Sequence, residues 1–587
     1  MSLVLPPRFF ERPRDREVES MALKEGFTPL QSRILAGRLK DVPKTLRSLV
    51  QPRLADLDTP QALPDIEIAA HCIADAVQFG KPIAIVTDHD ADGATSHAII
   101  RLSLYQWGVV TDQVAGYISH RMREGYGVSH ALIERILPEL PPNTCVITAD
   151  QGSTDEARIA VLRSAGHVVV VTDHHGVPDE GPPRSAHAVV NPARLDSRFP
   201  DRAIAGCHTA LLVMAAARSV LVARGVLPPS IERVSGLLDL CAVGTIADAS
   251  SLGASHNNRA IVQRGLYLMN HQPRACWNAM RRVLGKKGGW TVSDIAFQLA
   301  SRINALGRLG DAMLGVEFLS TDDEDAAYEM ALELDVNNRE RRRIEHANTL
   351  MAMQAAQLAV QGGRYGLCLW LGEEGHAGVH GISASRVVER FGRPTICLSP
   401  IASTPDVVTG SVRTTDCVHV RNTLVEIQNR WPGLLVSAGG HAGAGGLRLR
   451  KADIQQLVDS WDLCVRECYG NLMPGPELLF DGDIERPTLI DVEEITSLEP
   501  FGRGFEEPVF FGEWRVRVVR AIGDGTHLKL TLERGSDSYD AVWFGAKEAA
   551  AQVPIREGQS VRVAYTVESN VFRGTHRLQL LIKAVEM

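Results

Sequence analysis

The chain lacks several features that would narrow its chemistry at once. Its ten cysteines contain no Cys-x-x-Cys pair and no zinc-like spacing; Cys464 and Cys468 are merely helical neighbours. This excludes a thiolate metal site or a disulfide framework and fits reduced thiols in a cytoplasm. Long hydrophobic runs are missing too. No stretch is expected to approach the 18 apolar residues that cross a bilayer, and Met1 to Asp15 holds prolines and charges where a signal peptide has an apolar core. A soluble, cytoplasmic protein with no membrane partner is therefore expected. Positive charge is not in excess either: the formal net charge of -8 excludes a uniformly basic nucleic-acid coat but leaves room for a locally basic cleft. Arg339, Arg341, Arg342 and Arg343 form one basic cluster, best taken as a solvated helix face.

What is present is order on a large scale. A chain of 587 residues is too long for one core, and two to four domains are expected. From about Pro82 to about Pro192 short apolar runs alternate with helical patterns, the signature of a doubly wound parallel sheet. Each run ends in polar residues. Ile83 to Thr87 leads into Asp88, Cys145 to Thr148 into Asp150, Gln151 and Gly152, and Val168 to Thr172 into Asp173, His174, His175 and Gly176. Ligands of such sheets bind beyond the carboxyl ends of the strands, so three runs that stop in carboxylates and imidazoles point to one shared site.

Between about Asp322 and Gln361 there is no Pro or Gly, which predicts one helix of roughly 55 to 60 Å, long enough to connect two units. Tyr365 to Leu371 and Pro394 to Leu398 predict strands of a second α/β unit ending near Tyr469. Asn471 to Pro476 has linker composition. Beyond it, Trp514–Val519, His527–Leu532, Asp540–Phe544, Ser560–Val567 and His576–Ile582 alternate in polarity and predict a small antiparallel barrel of the oligonucleotide-binding type.

Asp88, Asp90 and Asp92 alternate with His89 and Ala91 directly after a buried strand. Three carboxylates at that spacing repel one another in a partly desolvated cleft, and divalent cations remove the repulsion. Gly93, Ala94, Thr95 and Ser96 suit a tight turn into a helix. Leu237 to Ile246 predicts an apolar helix ending in Asp248, which the helix dipole opposes unless a cation or donors sit nearby. Oxygen and nitrogen ligands without thiolate select Mg²⁺ or Mn²⁺. Asp90, Asp92, Asp150, His174 and Asp248 are about enough for two ions, with Asp150 the candidate bridge. Far along the chain, Gly439 to Gly446 forms a loop of little bulk around His441, which lets backbone N–H groups approach a phosphate. Ser411 and Arg413 add a hydroxyl and a guanidinium suited to a terminal phosphate.

These residues resemble a known family. DHDADG from Asp88, TAD ending in Asp150, DHH from Asp173 to His175 and GTIAD ending in Asp248 are similar to the four motifs of the DHH phosphoesterase superfamily, and the Gly440-His441 segment resembles the associated DHHA1 domain. More narrowly, HRMREGYG from His120, SRINALGRLGDA from Ser301, GVHGISASR from Gly378, LEPFGRGFEEPVF from Leu498 and the closing barrel resemble the RecJ family of bacterial exonucleases. Smaller relatives that cut nanoRNA or cyclic dinucleotides lack the barrel, and remain the alternative reading.

The resemblance implies an N-terminal region (1–55), a DHH domain (56–320), a connecting helix (321–361), a smaller DHHA1 domain (362–470) and an oligonucleotide-binding barrel (471–587). It implies hydrolysis of single-stranded DNA from a 5′ end to 5′-mononucleotides, in repair and recombination, with two Mn²⁺ or Mg²⁺ ions. Asp90, Asp92, Asp150, His174 and Asp248 would hold the metals, with Asp88 and His175 in support. Arg121, Arg308, Ser411, Arg413, Gly440 and His441 would hold the 5′ phosphate and first nucleotides. Single-strand-binding protein and a RecQ-type helicase are the implied partners of a monomer. The chain departs from the pattern at His89, at Gly206-Cys207-His208, and at Gly375 beside His376.

Overall fold

A computed structural model describes residues 7–40, 45–120, 124–309, 311–401, 404–547, 553–572 and 575–586. After a short strand, β1 (Arg8–Glu11), the first unit is built on β2 (Ile83–Thr87), β3 (Val114–Ile118), β4 (Cys145–Ala149), β5 (Val168–Thr172) and β6 (Ala188–Val190). The five run parallel in the order 3-2-4-5-6. All of β2 and β4 is buried. Elements cover both faces of the sheet, which is why these strands are continuous apolar runs rather than alternating ones. Strand order reverses between β2 and β4, and a doubly wound sheet opens a crevice beyond its carboxyl ends at that point.

Four helices position the site: α1 (Ala91–Gln106), α2 (Gly206–Ala223), α3 (Leu238–Ala247) and α4 (Ala300–Leu309). Helix α2 corrects one expectation. With 18 residues and a mean hydropathy of 1.5 it is long and apolar enough to cross a membrane, yet 67% of it is buried in protein. It packs against α1 and α3, so its apolarity is that of a core helix.

Helix α5 (Glu324–Gln361) has 38 residues and so spans about 57 Å. Ala327, Ala331 and Leu334 belong to the core of the first unit. Ala352 and Ala356 belong instead to a core with Leu367, Leu369 and Val387 of the second. Between them the buried side chains are polar: Asp335 pairs with Arg302 of α4 at 2.7 Å, and Arg341 bonds Asn338 at 3.0 Å and Glu345. The basic cluster is therefore not one solvated face. Arg339 and Arg343 are exposed and paired with Asp335 and Glu340, whereas Arg341 is buried.

The second unit contains β7 (Leu367–Trp370), β8 (Thr395–Ile401), β9 (Thr404–Arg413), β10 (Leu435–Gly440) and β11 (Ala444–Arg450), in the order 10-11-9-8-7, with α6 (His380–Phe391) on one face. Then β12 (Glu477–Phe480) pairs with β1, and Arg38 meets Asp481 at 2.7 Å with both side chains buried, so the N-terminal segment is fastened to the last unit. That unit is a closed barrel of β13 (Phe510–Ile522), β14 (His527–Arg534), β15 (Asp537–Trp543), β16 (Ser560–Phe572) and β17 (Thr575–Glu586) around Trp514, Leu530 and Tyr565. One ladder, β15 with β17, is parallel. Five strands cannot alternate direction all the way round a ring, so a strictly antiparallel closure is impossible.

Candidate metal centre and phosphate cleft

The carboxylates gather in the crevice. Asp88 follows β2, Asp150 follows β4, and Asp173, His174 and His175 follow β5. Asp90 is the N-cap of α1, its Oδ1 accepting from the N–H groups of Asp92 and Gly93 at 2.9 and 3.0 Å. The expected turn at Gly93–Ser96 is thus already helix. Gly93 is required by close approach, since a Cβ there would lie 2.2 Å from the Asp88 carbonyl oxygen. Asp92 is held by the start of α2: Gly206 N–H donates to Oδ2 at 2.7 Å and Cys207 N–H to Oδ1 at 3.0 Å. Asp248 caps the C-terminus of α3, with Ser250 Oγ donating to it at 2.6 Å. Asp150 has φ 60°, the left-handed region that Asp tolerates better than most residues.

Potential ligand atoms converge within 4.8 Å in three overlapping groups: Asp88, Asp90 and Asp150; Asp92, His174 and Asp248; and Asp150, His174 and His175. Asp150 is common to the first and third. Asp88, expected only in support, stands in the first group beside Asp90, with Ser119 Oγ donating to it at 3.1 Å and His89 Nδ1 at 2.8 Å. The electrostatics ask for cations. Burial, then the neighbouring carboxylates Asp92, Asp90, Asp88 and Asp248, hold the Asp150 pKa well above its ordinary value. Burial and Asp248 push Asp92 up to about 6. Asp150 Oδ1 and His174 Nε2 are buried and without a hydrogen-bond partner although 3.1 Å apart. Oxygen and imidazole donors left unpaired at this density fit Mn²⁺ or Mg²⁺.

His175 is arranged differently. Its Nδ1 lies 2.8 Å from Asp173 Oδ1, which also accepts from the N–H groups of His174 and His175 at 2.7 and 3.1 Å. Burial lowers the imidazole pKa, but the Asp173 bond and charge outweigh it and raise it to about 9. Asp173 itself is held low by the same contact despite burial.

Opposite stand the phosphate candidates. Ser411 and Arg413 lie two residues apart on β9, so they share a face, and the Arg413 guanidinium lies against α6 at Gly381, where a Cβ would be 2.6 Å from Nη2. Arg308, at the end of α4, donates to the Gly378 carbonyl. The glycine-rich segment is not an open cradle. Gly439 and Gly440 pair with Gly446 and Gly445 across a β10–β11 hairpin, and only His441, Ala442 and Gly443 form its tip. Gly440 has φ 150° and is needed because a Cβ would lie 2.4 Å from the Ala444 carbonyl oxygen. His441 at that tip reaches the metal side, its ring centroid 6.1 Å from that of His175. Arg121 lies outside the described residues.

Several positioning residues escape sequence reasoning. Ser119, after β3, bonds both Asp88 and His89. Asn304 Oδ1 accepts from Ala91 N–H at 2.7 Å and so holds the start of α1. Gly206 must lack a side chain, as a Cβ would lie 2.6 Å from Asp150 Oδ1. Asn304 falls within the SRINALGRLGDA segment and Gly206 within a noted departure, but the role of each is defined only by a partner 30 to 213 positions away. Of the three departures, His89 is buried between Asp88, Ser119 and Tyr126, and Gly375 packs on Ser399 and Leu371, where a larger side chain would clash.

Known proteins share this arrangement. The model of the DHH family N-terminal domain matches residues 82–245, and that of the RecJ OB domain matches 482–584. The single-stranded-DNA-specific exonuclease RecJ of Haemophilus influenzae is 33% identical over 580 residues, 95% of this chain and 96% of its own. The Escherichia coli protein of the same name is 31% identical, covering 97% and 98%. Among solved structures, RecJ of Thermus thermophilus in complex with Mn²⁺ superposes with a TM-score of 0.77 at 26% identity, covering 100% of this chain and 80% of the other. With so much of both lengths aligned at this identity, the chain belongs to the RecJ family of single-stranded-DNA-specific exonucleases.

Proposed function

We propose that this protein hydrolyses single-stranded DNA from a 5′ end, one 5′-mononucleotide at a time. One observation carries the reading. A cation-demanding cluster and a set of phosphate donors meet in one cleft, His175 against the sequence-distant His441 at 6.1 Å. Asp90, Asp92, Asp150, His174 and Asp248, with Asp88 beside Asp90, would hold two divalent ions, Mn²⁺ or Mg²⁺, as the T. thermophilus relatives were crystallised with each. Bound ions would supply Lewis acidity at phosphorus and lower the pKa of a water.

The protein groups do the rest. Arg413, Ser411, Arg308, Arg121 and His441 hold the terminal phosphate, so the scissile diester next to it lies against the cluster. Asp173 bonds His175 Nδ1 at 2.8 Å and so fixes the ring's orientation, leaving Nε2 to pass a proton toward the departing 3′ oxygen. Asp150, shared between ligand groups, keeps the two halves of the cluster in register.

A phosphodiesterase for nanoRNA or cyclic dinucleotides would need the cluster but not the barrel. Here the barrel is bound in. Arg259 donates to the carbonyls of Val50, Leu498 and Pro500, and Gly253 lies so close to Gly504 that a Cβ would be 2.1 Å from its carbonyl oxygen. A barrel fixed beside the loop after Asp248 suits a long single strand. We assign the activity to the cytoplasm, with single-strand-binding protein and a RecQ-type helicase supplying the substrate and the chain acting as a monomer. The test is digestion of 5′-phosphorylated single strands with Mn²⁺. Mononucleotides should appear from the 5′ end, faster than from a duplex or a cyclic dinucleotide; full activity of Asp150→Ala would overturn the site.

A further inference from the structure

Helix α4 has two functional ends. At one, Arg308 enters the phosphate cleft, and four residues earlier Asn304 holds the metal loop through Ala91. At the other, α4 continues a π-helical turn, Ile295–Leu299. Such turns are rare and concentrate at functional sites. Its Phe297 is 66% exposed. A lone phenylalanine on a surface needs no explanation, but this one is not placed at random. Ser301, Asn304 and Arg308 fall within an arc of about 60° at 100° per residue, and Phe297 stands one turn before Ser301, whose Oγ bonds its carbonyl. The opposite face carries Ile295, Leu299, Ile303 and Leu306, all buried. Phe297 therefore shares the face that carries the site, about 16 Å from Arg308 along the axis.

The turn that presents it is rigid. Ser301 Oγ donates to the Phe297 carbonyl at 2.7 Å. Arg302 Nη1 donates to the carbonyl and the side-chain oxygen of Gln298 at 2.8 and 3.0 Å, and Arg302 is itself locked to Asp335 of α5. A backbone tied down in this way presents the ring at a fixed place on the surface, and a nucleobase offers it a flat apolar face of matching size. Resting on the exonuclease reading above, the geometry points to Phe297 as a stacking platform for one base of the single strand downstream of the scissile bond. Stacking of this kind takes any base, and so adds grip without sequence preference.

The test is binding in EDTA and cleavage in Mn²⁺ by the full chain, with 5′-phosphorylated oligothymidylates of 2 and 20 nucleotides. Phe297→Ala should bind the 20-mer about 5- to 100-fold more weakly, leave the dinucleotide's kcat and KM unchanged, and be rescued by Phe297→Trp. A scan of single abasic nucleotides along the 20-mer should show one position that weakens the wild type and is silent in Phe297→Ala. Binding of the 20-mer within twofold of wild type, failure of Trp to rescue, or an abasic profile identical in both proteins would overturn the proposal. A wild type that binds the 20-mer through Phe297 but cuts no single strand would instead sink the exonuclease reading.

Discussion

Gly206 is the most economical place to test the metal centre, because two well-understood effects predict opposite outcomes there. It heads α2, where alanine is favoured over glycine by up to about 1 kcal/mol, so propensity alone makes Gly206→Ala neutral or stabilising. The added Cβ, however, would sit 2.6 Å from Asp150 Oδ1 and 2.9 Å from its Cβ and Cγ. Unstrained carbon contacts begin near about 3.5 Å, so roughly 0.5 to 1 Å must be found. If α2 recoils, the bonds from Gly206 and Cys207 N–H to Asp92, at 2.7 and 3.0 Å, lengthen; if Asp150 turns, the carboxylate shared by two ligand groups leaves its place. Misplacement of about 1 Å at a reacting centre costs on the order of 100-fold in rate. The variant should keep its Tm within a few degrees while kcat/KM on a 5′-phosphorylated 20-mer at saturating Mn²⁺ falls about 100-fold, with the Mn²⁺ midpoint shifted upward. Activity within threefold of wild type at an unchanged Mn²⁺ midpoint would refute the close-approach argument.

Other consequences are equally direct. Asp173→Asn removes the charge that holds the His175 pKa near about 9, so NMR titration of the metal-free protein should show it falling, and turnover should drop about 10- to 100-fold. Arg259→Met leaves the carbonyls of Val50, Leu498 and Pro500 without their buried donor, a loss of about 3 kcal/mol or more; limited proteolysis should then release the barrel while cleavage of a trimer survives. His97 is buried with its pKa lowered to about 3, so it stays neutral when folded and takes a proton when unfolded below about pH 6.5. Stability should therefore fall with pH, by about 2 kcal/mol between pH 7 and pH 5, and denaturant titrations of His97→Gln should lack that component. Mn²⁺ at a hundredfold excess over its Kd should raise stability by about 2.7 kcal/mol in the wild type, seen as a Tm shift that EDTA reverses and that Asp150→Ala lacks.

How much of this is legible in the sequence depends on how local each cause is. Strands buried on both faces are continuous apolar runs, so β2, β4 and β5 and the polar residues at their ends stand out, and with them Asp88, Asp150 and His174. Helix α5 is visible because 38 residues pass without Gly or Pro. The hairpin at Gly440 reads as an open loop for a definite reason. Glycine signals both phosphate approach and crowded backbone, and only the partner strand, which puts the Ala444 carbonyl 2.4 Å from a would-be Cβ, separates the two. The apolar stretch of α2 is undercounted because glycine, alanine, threonine and histidine dilute it; its burial against α1 and α3 depends on the fold. The roles of Ser119, Asn304 and Gly206 are not legible at all, although Asn304 and Gly206 lie in segments that stand out, since each matters only through a residue brought close by the tertiary structure.

The cleft itself is encoded least locally of all. Its metal wall belongs to one core and its phosphate wall to another, and α5 is packed into both through alanines near its two ends. A purely apolar helix could slide or rotate between those cores at little cost, because methyl contacts are not directional. The polar middle prevents this. Asp335 is bound to Arg302 of α4, and Asn348 accepts the N–H of His376 at 2.9 Å. His376 Nδ1 in turn accepts from Gly378 N–H at 3.1 Å, and the Gly378 carbonyl receives Arg308. Breaking either end leaves a buried charge or donor unpaired, which is costlier than losing the contact. The distance between Asp150 and His441 is therefore held by hydrogen bonds that touch neither residue, and a substitution at Asp335 or Asn348 would act on catalysis by changing the width of the cleft rather than its chemistry.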